Sequence, residues 1–202
     1  MSRAPRALVA LPLLVAALLA GCTSGDGDAD PTGNAAPTSA SSDLGRLDTD
    51  LAPCPEQPDQ PAADSDLPAT VFDCMGGGAL DLSRAPGVPT VLSLWASWCP
   101  PCREELPLVQ QLSAAGGSQL RVLGVASLDG VQQADSFADD AGITFPSAFD
   151  GDGEIMSAIG VNTLPHTLFL AADGSVAYVQ NGPVESLAEL EQLVADHLGV
   201  QL

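Results

Sequence analysis

Between residue 68 and the C-terminus, short apolar runs alternate with segments of helical spacing. Val88 to Trp95 and Leu120 to Ser127 are nearly unbroken apolar stretches, the pattern of strands covered on both faces of a sheet. Pro68 to Phe72 and Leu80 to Leu82, separated by Gly76-Gly77-Gly78, predict a hairpin. Thr167 to Leu170 and Val176 to Val179 predict a second strand pair, joined through Ala171 to Ser175. A first helix is expected from Pro100 to Ala115, kinked at Pro107 and ended by Gly116-Gly117. Val131 to Ala141 and Gly153 to Ile159 read as shorter helices, the latter after an Asp-Gly-rich turn. Val184 to Leu198 reads as an amphipathic helix, with Leu187, Leu190, Val194 and Leu198 on one stripe. Strands alternating with helices and ending in a hairpin and a helix define an α/β fold. Periodicity does not supply the strand order.

Upstream of residue 54 the pattern is different. Arg3 and Arg6 precede an apolar stretch, Ala7 to Leu18, that is too short to span a bilayer. Leu19-Ala20-Gly21-Cys22 follows and resembles the lipobox of bacterial lipoproteins. That resemblance implies removal of residues 1–21 and a diacylglyceryl group on the Cys22 sulfur; the alternative is an ordinary signal peptide with Cys22 a bystander. Both readings place the protein outside the cytoplasm, where disulfides persist. Thr23 to about Ser42 is rich in Ser, Thr, Gly, Asp, Ala and Pro and has almost nothing to bury. Residues 22–53 therefore read as lipidated cysteine and disordered tether, spanning roughly 30 Å as a flexible coil. Residues 54–202 remain as one domain large enough to bury a core.

The chain carries 26 acidic and 6 basic residues, a net charge of −20, and no lysine. A nucleic-acid ligand is excluded on that balance, because phosphate neutralisation needs a basic surface. Solubility and repulsion from anionic lipid are the plain consequences of the charge.

The chemistry is concentrated at Trp98-Cys99-Pro100-Pro101-Cys102, directly after the strand ending at Trp95. Two cysteines with two residues between them, where a strand turns into a helix, can close a small reversible disulfide. The first sulfur then lies at a helix N-terminus, where free N–H groups and the macrodipole favour the thiolate. The thiolate is the nucleophile of disulfide exchange. A zinc site is the competing meaning of Cys-x-x-Cys, but it requires a second ligand pair at short spacing, which the sequence lacks. No metal and no cofactor is expected.

Leu94-Trp95-Ala96-Ser97-Trp98-Cys99-Pro100-Pro101-Cys102-Arg103-Glu104-Glu105-Leu106 closely resembles the thioredoxin-like disulfide reductases of the TlpA/ResA type. A second match, Ile159-Gly160-Val161-Asn162-Thr163-Leu164-Pro165-His166-Thr167-Leu168-Phe169-Leu170, resembles the segment that carries the family's cis-proline. The resemblance covers about residues 68 to 200. It implies a thioredoxin-like fold with an N-terminal β-hairpin and a helix-containing insertion around residues 128 to 145.

It also implies roles for single residues. Cys99 is the attacking sulfur and Cys102 the more buried resolving thiol. Glu105, one helical turn after Cys102, takes the place of an acid to which the family assigns proton transfer with that thiol. The competing reading is a first-turn carboxylate that merely complements the macrodipole. Glu104 points elsewhere on the helix. Ser93 stands six before Cys99, where thioredoxins hold a buried aspartate, which leaves Glu105 as the nearest replacement in sequence. Pro165 is the expected cis-proline facing the disulfide. The backbone of Leu164 would offer an edge to an extended substrate peptide, and exposed Trp98 would contact partners. Trp95 reads as core. His166 departs from the family's usual threonine; it is expected to face away from the dithiol as a surface residue, with a redox role as the alternative. His197 has no case beyond its helix.

With Cys22 lipidated and Cys99 paired to Cys102, elimination leaves Cys54 with Cys74, a bridge that would contribute roughly 3 kcal/mol. The functional expectation is a membrane-tethered thiol–disulfide oxidoreductase that exchanges disulfides with exported proteins. By family analogy it acts as a reductase, with apocytochrome c cysteines among its plausible clients and electrons from a membrane donor. An oxidase running in the opposite direction is the alternative. From another class comes a copper(I) metallochaperone using the dithiol and His166, against which the expected cis-proline argues.

Overall fold

The computed structural model describes residues 47–63 and 66–202. The leader, Cys22 and most of the expected tether lie outside the described residues. No helix among them is long and apolar enough to cross a membrane.

The strands are β1 (Val71–Asp73), β2 (Ala79–Asp81), β3 (Thr90–Trp95), β4 (Arg121–Ser127), β5 (Ser147–Asp150), β6 (His166–Leu170) and β7 (Val176–Asn181). The helices are α1 (Pro100–Gly116), α2 (Val131–Asp140), α3 (Glu154–Ala158) and α4 (Leu187–Leu198). β1 and β2 form a separate hairpin, and the other five strands form one sheet in the order β5-β4-β3-β6-β7. β3, β4 and β5 are parallel; β6 and β7 run antiparallel to their neighbours. This is the thioredoxin-like fold that the motifs implied, and it supplies the strand order that periodicity could not.

The crossovers β3-α1-β4 and β4-α2-β5 step the same way across the sheet. A common right-handed sense places both helices on one face. That face buries Val91, Trp95 and Phe169 of the sheet against Leu106, Val109 and Leu112 of α1, Phe137 of α2 and Leu190 and Val194 of α4. Leu92, Leu94, Leu123, Val125, Leu168 and Leu170 alternate to the other face, where they meet Phe72 and Leu80 of the hairpin and Ile155 and Met156 of α3.

Sequence reading did not anticipate β5. Pro146 precedes it, and it offers Ser147 and Ala148 where β-branched residues would mark a strand, so nothing local announces it. Tertiary pairing makes it: Gly124 lies opposite Ser147, and a Cβ on Gly124 would meet the Trp95 indole and the Phe145 ring. The expected insertion around residues 128 to 145 holds α2, and β5 follows directly after it. α4 begins at Leu187, three residues later than expected. The Ser186 hydroxyl caps it by accepting the Glu189 N–H (3.2 Å), while the Glu189 carboxylate accepts the Glu185 N–H (3.1 Å). α1 runs through Pro107 as one helix, with one rung of its ladder removed.

A strap precedes the hairpin. Ala52 N–H donates to the Thr144 carbonyl (2.9 Å) and Cys54 N–H to the Gly77 carbonyl (2.9 Å). The Gln57 amide both donates to and accepts from the Asp81 backbone. Leu51, assigned by the sequence pattern to the tether, is 4 % exposed and belongs to the core that also contains Cys102. Packed chain therefore begins before Cys54. A disulfide joins Cys54 at the end of the strap to Cys74 at the hairpin turn, Cα atoms 6.0 Å apart.

Candidate active site

At the carboxyl end of β3 the chain leaves the sheet, turns through Ala96-Ser97-Trp98 and starts α1 with Cys99 as its N-cap. The Cys99 N–H donates to the Ala96 carbonyl (3.1 Å), which tightens the turn. Pro100 and Pro101 occupy the first positions of the helix, where a missing N–H costs nothing. The Cys99 side chain takes the capping role usually filled by a hydroxyl or carboxylate: Cys102 N–H donates to Cys99 Sγ at 3.3 Å. The two sulfurs are bonded, Cα atoms 5.3 Å apart, and both residues are buried. A thiolate at Cys99 would keep that amide as a donor and gain the helix N-terminus.

One turn further on, Glu105 faces inward with Cys102 and is 2 % exposed. Its Oε1 accepts the Thr167 hydroxyl (3.2 Å) from β6, and its Oε2 has no partner. Burial raises its pKa to about 7, with the Thr167 hydroxyl and the Val184 amide tempering the rise and Glu189 adding to it. Ser93 lies opposite Thr167 in the β3–β6 register, on the same face of the sheet. Ser93 therefore faces the same layer as Thr167 and the Glu105 carboxylate.

β6 is placed by the same register. Leu94 opposes His166, so Pro165 sits beside the end of β3 from which the Cys99 loop departs. The Leu164–Pro165 peptide bond is cis, Pro165 is buried and its carbonyl accepts the Gly182 N–H (3.2 Å). Leu164 is half-buried against the core. His166 differs from the sequence reading in one respect. Thr167 points at Glu105, so strand alternation turns His166 to the opposite face, away from α1, but there it is buried and its Nδ1 has no partner. It is not a surface histidine. His197 stacks on the Tyr178 ring, centroids 3.9 Å apart.

Trp98 is 58 % exposed beside the disulfide, and its indole N–H donates to the Leu128 carbonyl (2.9 Å). The next residue, Asp129, accepts the Ser97 N–H on one carboxylate oxygen and the Ser97 hydroxyl (3.1 Å) on the other. Sequence reasoning missed Leu128, Asp129 and Thr167. A signal for the first two existed: Asp129-Gly130 follows a buried strand, and loops at the carboxyl ends of such strands are where α/β sheets build their sites. Arg103 of α1 lies over the Phe137 ring at 4.7 Å. Among the described residues, no three His, Cys, Asp or Glu side chains converge as a metal-binding set.

A five-stranded mixed sheet, a Cys-x-x-Cys disulfide capping its first helix and a cis-proline on the neighbouring strand define a thioredoxin-like protein. Residues 62–194 match the family model described as Redoxin, and the chain belongs to that family. It is 31% identical over 118 residues to the thiol-disulfide oxidoreductase ResA of Oceanobacillus iheyensis, covering 58% of this chain and 61% of that protein. Against the thiol:disulfide interchange protein DsbE of Escherichia coli it is 38% identical over 97 residues, covering 48% and 51%. The matches thus span between half and two thirds of those relatives' length. A crystal structure of a secreted Mycobacterium tuberculosis disulfide oxidoreductase homologous to E. coli DsbE superposes with a TM-score of 0.57 at 30% identity, covering 66% of this chain and 99% of that one.

Proposed function

We propose that this chain is an extracytoplasmic thiol–disulfide oxidoreductase, held to the membrane by lipid on Cys22, that reduces disulfides of exported proteins. The observation that carries the reading is the bonded Cys99–Cys102 pair at the start of α1, with one sulfur receiving a backbone N–H. In the reduced protein the Cys99 thiolate attacks a client disulfide. One client sulfur leaves as thiolate, and the other is held in a mixed disulfide with Cys99. The Cys102 thiolate then attacks Cys99 Sγ, forms the internal disulfide and expels the second client thiolate. Two electrons pass from the protein dithiol to the client. A dithiol donor at the membrane restores the reduced state.

Glu105, buried one turn after Cys102, takes the Cys102 proton before that attack in this reading; a carboxyl with a pKa of about 7 holds and releases protons at working pH. Trp98 and the backbone of Leu164 flank the sulfurs as the surfaces that receive the client, with Pro165 between them. Apocytochrome c cysteines are one client class consistent with this chemistry.

The deciding experiment is the reduction potential of the Cys99–Cys102 couple, measured in protein lacking Cys22 and paired with dithiothreitol-driven insulin reduction. A potential below that of the glutathione pool together with insulin turnover supports reduction. A strongly oxidising potential, with disulfide donation to reduced peptides, overturns the direction. Cys102→Ser should accumulate the mixed disulfide on Cys99, and its absence with every disulfide offered would sink the exchange mechanism.

A further inference from the structure

Leu128 is the only non-glycine residue among those described with a left-handed backbone, φ 53°. Leucine adopts that region at an energetic cost, so the surroundings must hold it there. They do so from three sides. Leu128 N–H donates to the Asp150 carbonyl (3.0 Å), its own carbonyl accepts the Trp98 indole, and the following Asp129 grips Ser97. Asp150 is in turn fixed through its carboxylate, which accepts the Glu154 N–H (2.8 Å) and the Ile155 N–H (3.1 Å) at the start of α3. The leucine side chain lies across the bare Cα of Gly153, where a Cβ would meet both of its methyl carbons.

What this arrangement presents outward is apolar. Leu128 is 46 % exposed. It and Trp98 are two of only four large hydrophobic residues exposed among those described, and a hydrogen bond joins them at the mouth of the disulfide. An ordinary turn residue such as Asn or Gly would satisfy the backbone without strain and without exposing hydrocarbon.

We infer that Leu128 and Trp98 form a client-selecting platform, which receives an apolar side chain adjacent to the cysteine of the substrate polypeptide. The inference rests on the exchange reading above. A mixed disulfide fixes the client sulfur at Cys99. Consecutive Cα atoms are about 3.8 Å apart, so the residues flanking the client cysteine fall on the neighbouring Trp98–Leu128 surface. Covering the exposed half of one leucine corresponds to about a fivefold gain in kcat/KM. Leu128 is a specificity residue under this assignment and leaves the sulfur chemistry to Cys99 and Cys102.

The test uses two otherwise identical disulfide-linked peptides, with Leu or Ser next to each cysteine, and glutathione disulfide as a third substrate. The wild-type dithiol should prefer the Leu peptide by about fivefold, expressed in KM. Leu128→Gly and Leu128→Asn both suit the left-handed backbone, so both should fold, keep the wild-type reduction potential of the Cys99–Cys102 couple and treat the two peptides alike. A wild-type protein without preference, or variants that keep it, overturns the inference while the exchange reading stands. Failure to reduce any of the three substrates overturns that reading, and this inference with it.

Discussion

The two disulfides of this domain are both buried, yet they sit in unlike surroundings. Cys54–Cys74 closes a loop of sequence separation 20, and Cys99–Cys102 one of separation 3. In the chain-entropy account the first contributes about 3 kcal/mol to stability and the second about 2. Cys54 and Cys74 pack among Phe72, Leu80 and Leu92, an apolar cluster that binds the strap to the hairpin. Cys99 and Cys102 begin a helix, with an amide directed at one sulfur, a buried carboxyl one turn on and an exposed tryptophan alongside. Burial therefore does not distinguish the two pairs. What differs is the means on hand to stabilise a thiolate, to move a proton and to admit a second sulfur.

Mutation should separate the two pairs. Cys99→Ser removes the nucleophile and should cut insulin reduction by about a thousandfold or more, while the loss of the short disulfide costs about 2 kcal/mol of stability in the oxidised protein. Turnover by that variant would show that Cys99 is not the attacking sulfur. The double variant Cys54→Ala/Cys74→Ala should show the converse. Denaturant unfolding should report a loss of about 3 kcal/mol, while the potential of the Cys99–Cys102 couple stays at its wild-type value. A shifted potential would mean that the two pairs communicate.

Glu105 gives the folded protein a pH signature. Its folded pKa of about 7 lies above the ordinary 4.5. Between those values the folded protein holds a proton that the unfolded chain has released, so stability falls as pH rises through this window. Glu105→Gln should abolish that slope and, above pH 7, stabilise the oxidised protein by up to about 3 kcal/mol. Unfolding curves at pH 5 and pH 8 measure it; a wild-type protein equally stable at both refutes the assignment. The smallest effect is expected from Asp129→Ala, which removes two acceptors from Ser97. A loss of about 1 kcal/mol and a shift in Trp98 fluorescence should accompany it.

Much of this was legible in the sequence because the elements that build the site are strongly patterned. The apolar runs of β3 and β4, the Cys-x-x-Cys spacing and the proline of the Leu164-Pro165 step each carry their own local signal. The missing parts depend on contacts between distant residues. β5 exists because β4 offers it a ladder and Gly124 leaves room beside Trp95. The start of α4 was available as a Ser-x-x-Glu capping box, but the apolar spacing beginning at Val184 masked it. The polarity of His166 reads as surface, whereas β6 lies between β3 and β7 and is buried on both faces, so alternation chooses only which covered face the ring meets. Asp129 and Leu128 act on Ser97 and Trp98 across about thirty positions of sequence, and no local pattern encodes that pairing.

The Cys54–Cys74 bond also has a mechanical consequence. Tension entering the chain at residue 47 first strips the Ala52–Thr144 contact and lifts Leu51, and then reaches a covalent link. From Cys54 the load crosses directly to Cys74, so the segment between the two cysteines bears none of it. A protein hauled on from its N-terminal side while bound to a cargo would keep that stretch slack.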